Sequence, residues 1–360
     1  MADPTTVVTG GVDTHKDLHV CVALDQRGRV LGTEQFPTTM RGYRALWRWL
    51  NGFGPLGAVG VEGTGAWGAG LARFLGEAGV KVVEVNRPNR QARRRRGKSD
   101  PADAEAAARA VLAGDAVGTP KAATGAVEAL RLLRVARRSA IKARTQAANQ
   151  IHSVIDTAPE ALRAQLLGLK QRERVAKAAR LRPGDFSSPL GAAKAALAIL
   201  GRRWLALTEE VNLLDAQLAE LVSSAAPSLV AIKGVGVDTG GALLSAAGDN
   251  PARLRSDRSY AALCGSSPVD ASSGRQRRHR LNRGGDRQAN SALYLIVLNR
   301  LAWDQRTKDY MARRTAQGKT KKEIIRCLKR YVAREVYKAI MNDLTATAPQ
   351  HGTEILPKAA

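Results

Sequence analysis

Four carboxylates of this sequence have the placement that metal-dependent phosphate chemistry requires: Asp13, Glu62, Asp100 and Asp103. The first two each follow an apolar run with the pattern of a buried strand, and the last two stand three residues apart near a helix start. Mg²⁺ prefers oxygen ligands, and a pair of such ions can hold both the attacking and the leaving oxygen of a phosphodiester. The set predicts a magnesium site, although Asp100 taken alone could equally be a helix cap.

A serine pair in the second half of the chain offers a nucleophile. Ser272 and Ser273 precede Gly274 in a polar stretch, residues 266–285, with almost no apolar anchors. Long loops inside compact domains are usually functional. A serine hydroxyl could attack phosphorus while nearby guanidinium groups stabilise the phosphoryl charge, and the arginines that follow are Arg275, Arg277, Arg278, Arg280 and Arg283. Without further context, an ordinary loop serine is the simpler interpretation.

Positive charge dominates the chain. It has 57 lysines and arginines against 32 aspartates and glutamates, a formal net charge of +25. This excess predicts a polyanionic partner. One basic run directly precedes Asp100 and another lies in an alanine-rich helical region; the residues in these runs that we expect to contact nucleic acid are Arg93, Arg94, Arg95, Arg96, Lys98, Arg134 and Arg138. Aromatic residues are only 4% of the chain, which favours recognition of phosphate charge over base stacking.

Composition argues against several classes of protein. Hydrophobic residues form 44% of the chain, which is enough for buried cores. Three cysteines without paired spacing argue against a disulfide framework and a zinc cluster, and Cys21 has the pattern of a core strand residue. No apolar run approaches the ~18 residues of a membrane span, and residues 1–10 lack the order of a signal peptide. We expect a protein of a reducing cytoplasm without membrane contact.

The order of elements predicts an α/β domain followed by helical regions. Strand patterns at residues 6–12, 18–24 and 29–36 precede alternating helices and strands up to residue 85, which together indicate a mixed sheet flanked by helices. Helical patterns cover residues 100–156, 286–300 and 319–341, and Gly234-Val235-Gly236 joins two apolar helices like a helix-hairpin-helix unit. The glycine turn could bind phosphate through its amides or be a plain turn. We expect domains at 1–116, 117–226 and 227–345, and a flexible tail at 346–360.

One helical segment carries a heptad seam. Apolar residues recur at alternating steps of four and three: Leu200, Trp204, Leu207, Val211, Leu214, Leu218 and Leu221. Such a seam needs a partner helix, which predicts a coiled coil. The partner could be the helix around Arg131 of the same chain or the same helix of a second copy, and residues 200–221 would then form a homodimer.

Two groups of motifs resemble one family, the DEDD insertion-sequence transposases, which are related to the pilin-gene DNA invertases. The first group is Val12-Asp13-Thr14-His15-Lys16, Val61-Glu62-Gly63-Thr64-Gly65 and Lys98-Ser99-Asp100-Pro101-Ala102-Asp103-Ala104. The second group is Ile232-Lys233-Gly234-Val235-Gly236, Cys264-Gly265, Ser272-Ser273-Gly274 and Arg283-Gly284-Gly285. The resemblance spans roughly residues 7–340. Ser99 stands where the family often has Thr, and Trp67 where Tyr is usual, and both changes keep the chemistry.

The resemblance implies a fold like RNase H and the Holliday-junction resolvases for the first domain. It implies that Asp13, Glu62, Asp100 and Asp103 are metal ligands for Mg²⁺ or Mn²⁺. It also implies a nucleophilic serine in a mostly helical second domain; Ser273 matches the family motif because it directly precedes the glycine, and Ser272 is the fallback. Recently recognised members are guided by a bridge RNA, so the resemblance implies an RNA partner besides donor and target DNA.

These observations together predict a site-specific recombinase that moves its own insertion sequence in the bacterial nucleoid. Ser273, assisted by the metal, would attack a DNA phosphodiester and keep the strand as a phosphoserine ester, and dimers would pair as a tetramer at synapsis. The acids and Ser273 would meet by folding or across a subunit interface. One alternative is a resolvase-type nuclease that acts by hydrolysis, in which Ser273 only binds phosphate. The other is a basic nucleic-acid-binding protein without activity.

Overall fold

The computed structural model of the chain describes residues 7–85, 99–274 and 279–347. Its contacts divide the chain into two compact units. The first unit comprises residues 1–125 together with 247–260, and the second comprises 126–246 together with 261–360.

A five-stranded mixed sheet forms the centre of the first unit. Its strands are β1 (Val8–Thr14), β2 (Leu18–Leu24), β3 (Val30–Pro37), β4 (Leu56–Glu62) and β5 (Val82–Val85). They lie in the order β3-β2-β1-β4-β5. The first three strands pair antiparallel, whereas β4 runs parallel to both β1 and β5. The mixed α/β architecture predicted from the alternation of patterns is therefore confirmed.

Helices cover both faces of this sheet. Helix α1 (Met40–Asn51) buries Leu46 and Leu50 against one face, where α2 (Ala69–Glu77) adds Leu71 and Leu75. Helix α3 (Asp100–Leu112) covers the other face, and its Ala104 and Ala108 form a core with residues of β2. The alternation of side chains along each strand decides which residues face which helix.

Two glycines allow α3 to approach the sheet closely. Gly11 of β1 pairs with Gly60 of β4, so the two lie side by side on the α3 face. A Cβ on Gly60 would stand 2.8 Å from the carbonyl oxygen of Ala107, and one on Gly11 would overlap the backbone of Ala104 and Ala108. Any larger side chain at either position would therefore displace α3, whose first turn carries Asp100 and Asp103.

We expect Gly11→Ala to lower the free energy of unfolding of the first unit by about 1–3 kcal/mol, because overpacking must move a helix backbone. Gly65→Ala is the matched control, since nothing lies within 4 Å of a Cβ at Gly65 and its backbone is not left-handed. Thermal unfolding of the two variants measures the difference. Equal transition temperatures for both variants and the unmodified chain would show that α3 does not depend on the glycine contact.

The prediction of helix over residues 100–156 is wrong for residues 113–125, which separate two helices. Helix α3 ends at Leu112, and α4 (Ala126–Thr157) begins only after an extended segment. Backbone N–H groups of residues 123–125 donate to the Asp249 carboxylate at 2.8–3.0 Å, which the helix pattern did not indicate. Burial opposes ionisation of Asp249, but these N–H donors outweigh it and hold its pKa below the usual value. The segment at 247–260 therefore folds as part of the first unit.

Long helices dominate the second unit. Its first half contains α4, α5 (Glu160–Leu166), α6 (Gln171–Ala179), α7 (Pro189–Ala225), α8 (Pro227–Val230) and α9 (Val237–Ala247). Helices α4 and α7 pack antiparallel, because Arg137 pairs with Asp215 and the Arg144 guanidinium lies 5.7 Å from the Trp204 ring centroid. All seven seam residues of α7 are buried or half-buried. The seam therefore has a partner helix within the same chain.

The second half of this unit has helices and one short ladder: α10 (Asp257–Leu263), β6 (Val269–Asp270), β7 (His279–Arg280), α11 (Arg287–Trp303), α12 (Gln305–Ala316) and α13 (Lys321–Thr347). The sequence analysis did not predict α12. Its signal was Asp304, whose carboxylate accepts hydrogen bonds from the N–H and hydroxyl of Thr307 and caps the helix start. These bonds and Lys233 lower the pKa of Asp304 to about 2. None of the helices in the described ranges has the length and apolar character of a membrane span.

Candidate active site

The sheet register brings Asp13 and Glu62 to one edge and one face. Strands β1 and β4 are parallel, and Val12 is opposite Val61, so the residues that follow stand at neighbouring carboxyl ends. Each acid comes two residues after a glycine of the Gly11–Gly60 pair, and side chains alternate along a strand. Both acids therefore lie on the α3 side of the sheet, while Val12 and Val61 belong to the core on the opposite face.

Helix α3 supplies the other two carboxylates from its first turn. Asp100 is the first residue of the helix and Asp103 follows one turn later. The N-cap position belongs to Ser99, so the alternative that Asp100 caps the helix is not what the structure has. Asp103 is only 4% exposed, and its charge is close enough to influence Asp13. Because α3 lies over β1 and β4, its first turn stands at the same edge of the sheet as the two strand ends, and its acids are close to Asp13.

The centre of this site is an Asp-His-Asp cluster. His15 Nε2 lies 3.2 Å from Asp13 Oδ2 and 3.3 Å from Asp100 Oδ1. Burial raises the pKa of the Asp13 carboxyl; His15 opposes this rise, whereas the charges of Asp103 and Asp100 add to it. Carboxylates held this close repel one another unless a cation lies between them. His15 belongs to the sequence motif around Asp13, but the motif alone indicated no role for it.

These residues fit a divalent metal ion. One ligand atom from each of Asp13, His15 and Asp100 lies within 4.8 Å of the other two. Glu62 stands at the same edge, and the Thr14 hydroxyl donates to its carbonyl oxygen at 2.7 Å, which ties the two strand ends together. Two carboxylates and an imidazole are typical ligands of divalent cations. The basic run that we expected beside this site, which includes Arg93, Arg94, Arg95, Arg96 and Lys98, lies outside the described residues.

The predicted nucleophile lies in the second unit, just after β6. Ser272 is engaged locally: its N–H and its hydroxyl both donate to Asp270 Oδ1, at 2.9 and 2.5 Å, and these bonds lower the pKa of Asp270. Ser273 is exposed, and its side chain makes no hydrogen bond to another described residue. Both serines are exposed, but the Ser272 hydroxyl is bound to Asp270, whereas the Ser273 hydroxyl has no partner among the described residues. Arg275, Arg277 and Arg278 lie outside the described residues.

Glycines close the base of the serine loop. Gly265 has a left-handed φ of 62°, and a Cβ on Gly285 would overlap the backbone of Gly265. The N–H of Asp286 donates to the carbonyl of Leu263 at 2.7 Å. The two ends of the polar loop that begins at Ser266 are therefore in contact with each other where they join the helices of this unit. Its two ends need small residues because their backbones touch.

A cationic cavity of about 510 Å³ adjoins this loop within the second unit. One acid, Glu323, lines it beside a larger set of cations: Arg280, Arg313, Arg314, Lys319, Arg326, Lys329, Arg330 and Arg334. Lys329 Nζ donates to Asn290 Oδ1 at 2.7 Å, and Asn290 Nδ2 donates to the carbonyl of Gly265 at 2.8 Å. Burial, with the nearby charge of Arg326, lowers the pKa of Lys329. The sequence analysis predicted only Arg280 of this set, although the spacing of Arg326, Arg330 and Arg334 by four residues was a readable signal.

Arg134 and Arg138 differ sharply in environment. Arg134 is 6% exposed, and its guanidinium donates to both the carboxylate and the carbonyl of Asp238, at 2.7 and 2.5 Å. Burial lowers the pKa of Arg134, and Asp238 opposes that effect. Arg138, Arg280 and Arg283 are exposed. In this structure Arg134 is therefore an internal ion-pair residue, contrary to the expectation that it contacts nucleic acid.

The glycine turn at 234–236 has internal partners for two of its amides. Val235 N–H donates to the carbonyl of Ile232 at 3.0 Å, and Gly236 N–H donates to the Thr239 hydroxyl at 2.9 Å. Gly234 has a φ of 87°, which a glycine adopts without strain. Of the two interpretations left open, the plain turn between helices agrees better with these bonds.

The mixed sheet with acids at the carboxyl ends of β1 and β4 is compatible with the RNase H-like class of nucleic-acid-processing domains. Two family models match the chain in separate regions. The DEDD transposase model of IS110 type matches residues 10–158, and the transposase model of the IS116/IS110/IS902 family matches residues 226–312. The chain belongs to this family of DEDD transposases. Membership implies an enzyme that binds DNA, cleaves it and rejoins it. A search of curated proteins found no match.

Proposed function

We propose that this protein is the recombinase of an insertion sequence and that Ser273 is its nucleophile. The observation that carries the metal-dependent part is that ligand atoms of Asp13 and Asp100 lie within 4.8 Å of each other beside His15, and the choice of Ser273 rests on its match to the family motif. A divalent ion held by these acids would supply electrophilic stabilisation of phosphate charge, and Mg²⁺ or Mn²⁺ suits such ligands. A serine ester at phosphorus conserves the energy of the broken bond, so strands can be exchanged without ATP.

The chain's own residues have distinct roles in this proposal. Ser273 Oγ forms a bond to phosphorus, and one DNA oxygen leaves as a hydroxyl. Asp270 and Ser272 hold the turn that presents Ser273. The cations of the neighbouring cavity, with Arg280 and Arg283, neutralise the phosphate backbone and stabilise the phosphoryl oxygens. In the second transesterification, the hydroxyl released from another DNA strand attacks the phosphorus of the phosphoserine ester. The bond to Ser273 Oγ breaks, and the serine hydroxyl is restored.

Denaturing gels separate this proposal from its alternatives. The full chain is incubated with Mg²⁺ and labelled DNA that spans the end of the element. A protein-linked band supports the recombinase, free nicked product supports a hydrolytic nuclease, and retardation on native gels without product supports a binding protein. The nuclease is the second candidate, because acids at the carboxyl ends of a mixed sheet also suit attack by water.

We propose further that a structured RNA from the element guides the enzyme. The support is the family and the basic surface: the chain carries a net charge of +25 with only 4% aromatic residues. A guided enzyme leaves sequence choice to base pairing and binds the duplex through its backbone. Sequencing the RNA that copurifies with the protein tests the guide RNA. If that RNA is unrelated to the element, the guide RNA is rejected, and the proposed reaction of Ser273 with DNA is unaffected.

A homodimer is the assembly that we propose, with two dimers at synapsis. Because α4 packs on the seam of α7, a dimer through α7 would use its outward side, where Leu205 and Leu213 are exposed. Light scattering of the purified chain tests the assembly, with Leu213→Lys as the variant expected to give monomers. A monomeric unmodified chain at micromolar concentration would contradict it.

Because Arg134 is buried and Arg138 is exposed, we expect substitution by methionine to affect stability at Arg134 and nucleic-acid binding at Arg138. Arg134→Met should lower the free energy of unfolding by about 1–3 kcal/mol, because it removes buried hydrogen bonds to Asp238. Arg138→Met should leave stability within about 0.5 kcal/mol and weaken nucleic-acid binding through the loss of one phosphate contact. Thermal unfolding and filter binding measure the two effects. A loss of stability in both variants would contradict the assignment of Arg138 to the binding surface.

Salt should weaken DNA binding steeply. If the basic surface neutralises about six phosphates, the logarithm of the binding constant falls with the logarithm of salt concentration with a slope near −5. Titration at several salt concentrations measures the slope. A slope near −1 would show that most of the positive charge does not contact DNA.

A further inference from the structure

His15 stands where a metal ligand would stand, directly after β1. Its backbone N–H donates to the carbonyl of Leu18 at 3.2 Å, and its own carbonyl accepts a hydrogen bond from the Thr38 hydroxyl at 3.2 Å. These bonds fix the turn between β1 and β2 from both sides. The backbone that carries the imidazole is therefore fixed beside the carboxyl end of β1, independently of the acids.

The distances around Nε2 suit a shared cation. The imidazole nitrogen is 3.2 Å from Asp13 Oδ2 and 3.3 Å from Asp100 Oδ1. Neighbouring ligand atoms on an octahedral ion with bonds of about 2.1 Å are about 3.0 Å apart. The two distances from Nε2 are within a few tenths of an ångström of that spacing, and the three ligand atoms all lie within 4.8 Å of one another. A carboxylate from a strand, another from a helix and an imidazole from a turn thus approach one point.

We propose that His15 is a nitrogen ligand of the divalent ion in the acid site, which makes the site prefer Mn²⁺ to Mg²⁺. The inference rests on the proposed function, since it assumes that the acids hold a metal. Imidazole binds transition metals well and Mg²⁺ poorly, whereas carboxylates accept both. A site with His15 should therefore discriminate between the two ions more than a site of carboxylates alone.

A simple ion pair is the competing explanation of the same distances. An imidazolium that bridges Asp13 and Asp100 would occupy the acids in the metal-free protein and leave when a metal binds. In that case removal of His15 would strengthen the binding of Mn²⁺ and Mg²⁺ alike, and the bound ion would have no nitrogen ligand. The two explanations therefore differ in selectivity and in spectroscopic signature.

Isothermal titration and pulsed electron paramagnetic resonance of the full chain with Mn²⁺ test the proposal. The unmodified protein should show coupling between Mn²⁺ and an imidazole nitrogen. His15→Ala should lose this coupling and reduce the preference for Mn²⁺ over Mg²⁺ about tenfold or more. His15→Gln, which places an oxygen near the position of Nε2, should retain Mg²⁺ binding but lose the nitrogen coupling. His152→Gln is the matched control, since His152 is exposed on α4 in the other unit.

The outcomes distinguish the inference from the function on which it rests. Absence of saturable Mn²⁺ binding in the unmodified chain, together with no difference in Asp13→Asn, would overturn the metal site and His15 with it. Mn²⁺ binding that requires Asp13 but lacks nitrogen coupling, or that keeps its selectivity in His15→Ala, would overturn only the role of His15. Circular dichroism of each variant verifies that the fold is intact.

Discussion

Replacement of Ser273 by alanine is expected to abolish the covalent protein–DNA adduct and strand joining, with a loss of at least about 10³-fold. Alanine has no hydroxyl to attack phosphorus. Ser273 is exposed, and its side chain bonds to no other described residue, so the fold should not respond. A denaturing gel with labelled DNA measures the adduct. Unchanged thermal unfolding and unchanged DNA retardation would assign the loss to chemistry rather than to folding or binding.

Ser272→Ala is the matched control for the nucleophile. This change removes the 2.5 Å hydrogen bond from the Ser272 hydroxyl to Asp270 but keeps the neighbouring hydroxyl. We expect the adduct to persist, reduced by no more than about tenfold, because the turn loses one of its anchors. An adduct that survives in Ser273→Ala and vanishes in Ser272→Ala would reassign the nucleophile to Ser272, with Asp270 as its partner. Free nicks from Ser273→Ala would instead support hydrolysis.

Replacement of Asp13 by asparagine is expected to remove activity by about 10²-fold or more while making the metal-free protein more stable. The first effect follows from the loss of a charged metal ligand. The second follows from the electrostatics: burial, assisted by the charges of Asp103 and Asp100, raises the pKa of Asp13 in spite of His15. Because the native state binds this proton more tightly than the unfolded state, its stability falls as pH rises from the ordinary Asp pKa through the raised value.

Thermal unfolding with and without divalent ions measures the change in stability and the loss of metal binding, and the adduct band on a denaturing gel measures the loss of activity. At neutral pH the metal-free Asp13→Asn variant should melt higher than the unmodified chain, and at a pH below the ordinary Asp pKa the difference should disappear. Mn²⁺ should raise the melting temperature of the unmodified chain but not of the variant. Asp17→Asn is the control, since Asp17 is exposed on the same turn. A variant that melts lower without metal would indicate that the Asp13 carboxylate stabilises the fold.

Local patterns were sufficient for the sheet of the first unit. Alternation over residues 18–24 predicted the bounds of β2, because the pattern lies inside a single element. The same reasoning placed Asp13 and Glu62 at strand ends. It failed between Leu112 and Ala126, where Asp249 binds the backbone from far along the sequence. It also missed α12, whose capping residue was visible but not used.

The sequence by itself predicted most of the elements, the acids at the strand ends and the serine motif, because these depend on residues that are close along the chain. Only the tertiary structure decided which contacts those elements make. It placed α3 on the glycine pair of β1 and β4, paired the α7 seam with α4, buried Arg134 against Asp238 and brought His15 to Asp13 and Asp100. Each of these contacts joins residues from different elements or across a turn, and its geometry depends on packing and register that no single stretch of sequence contains.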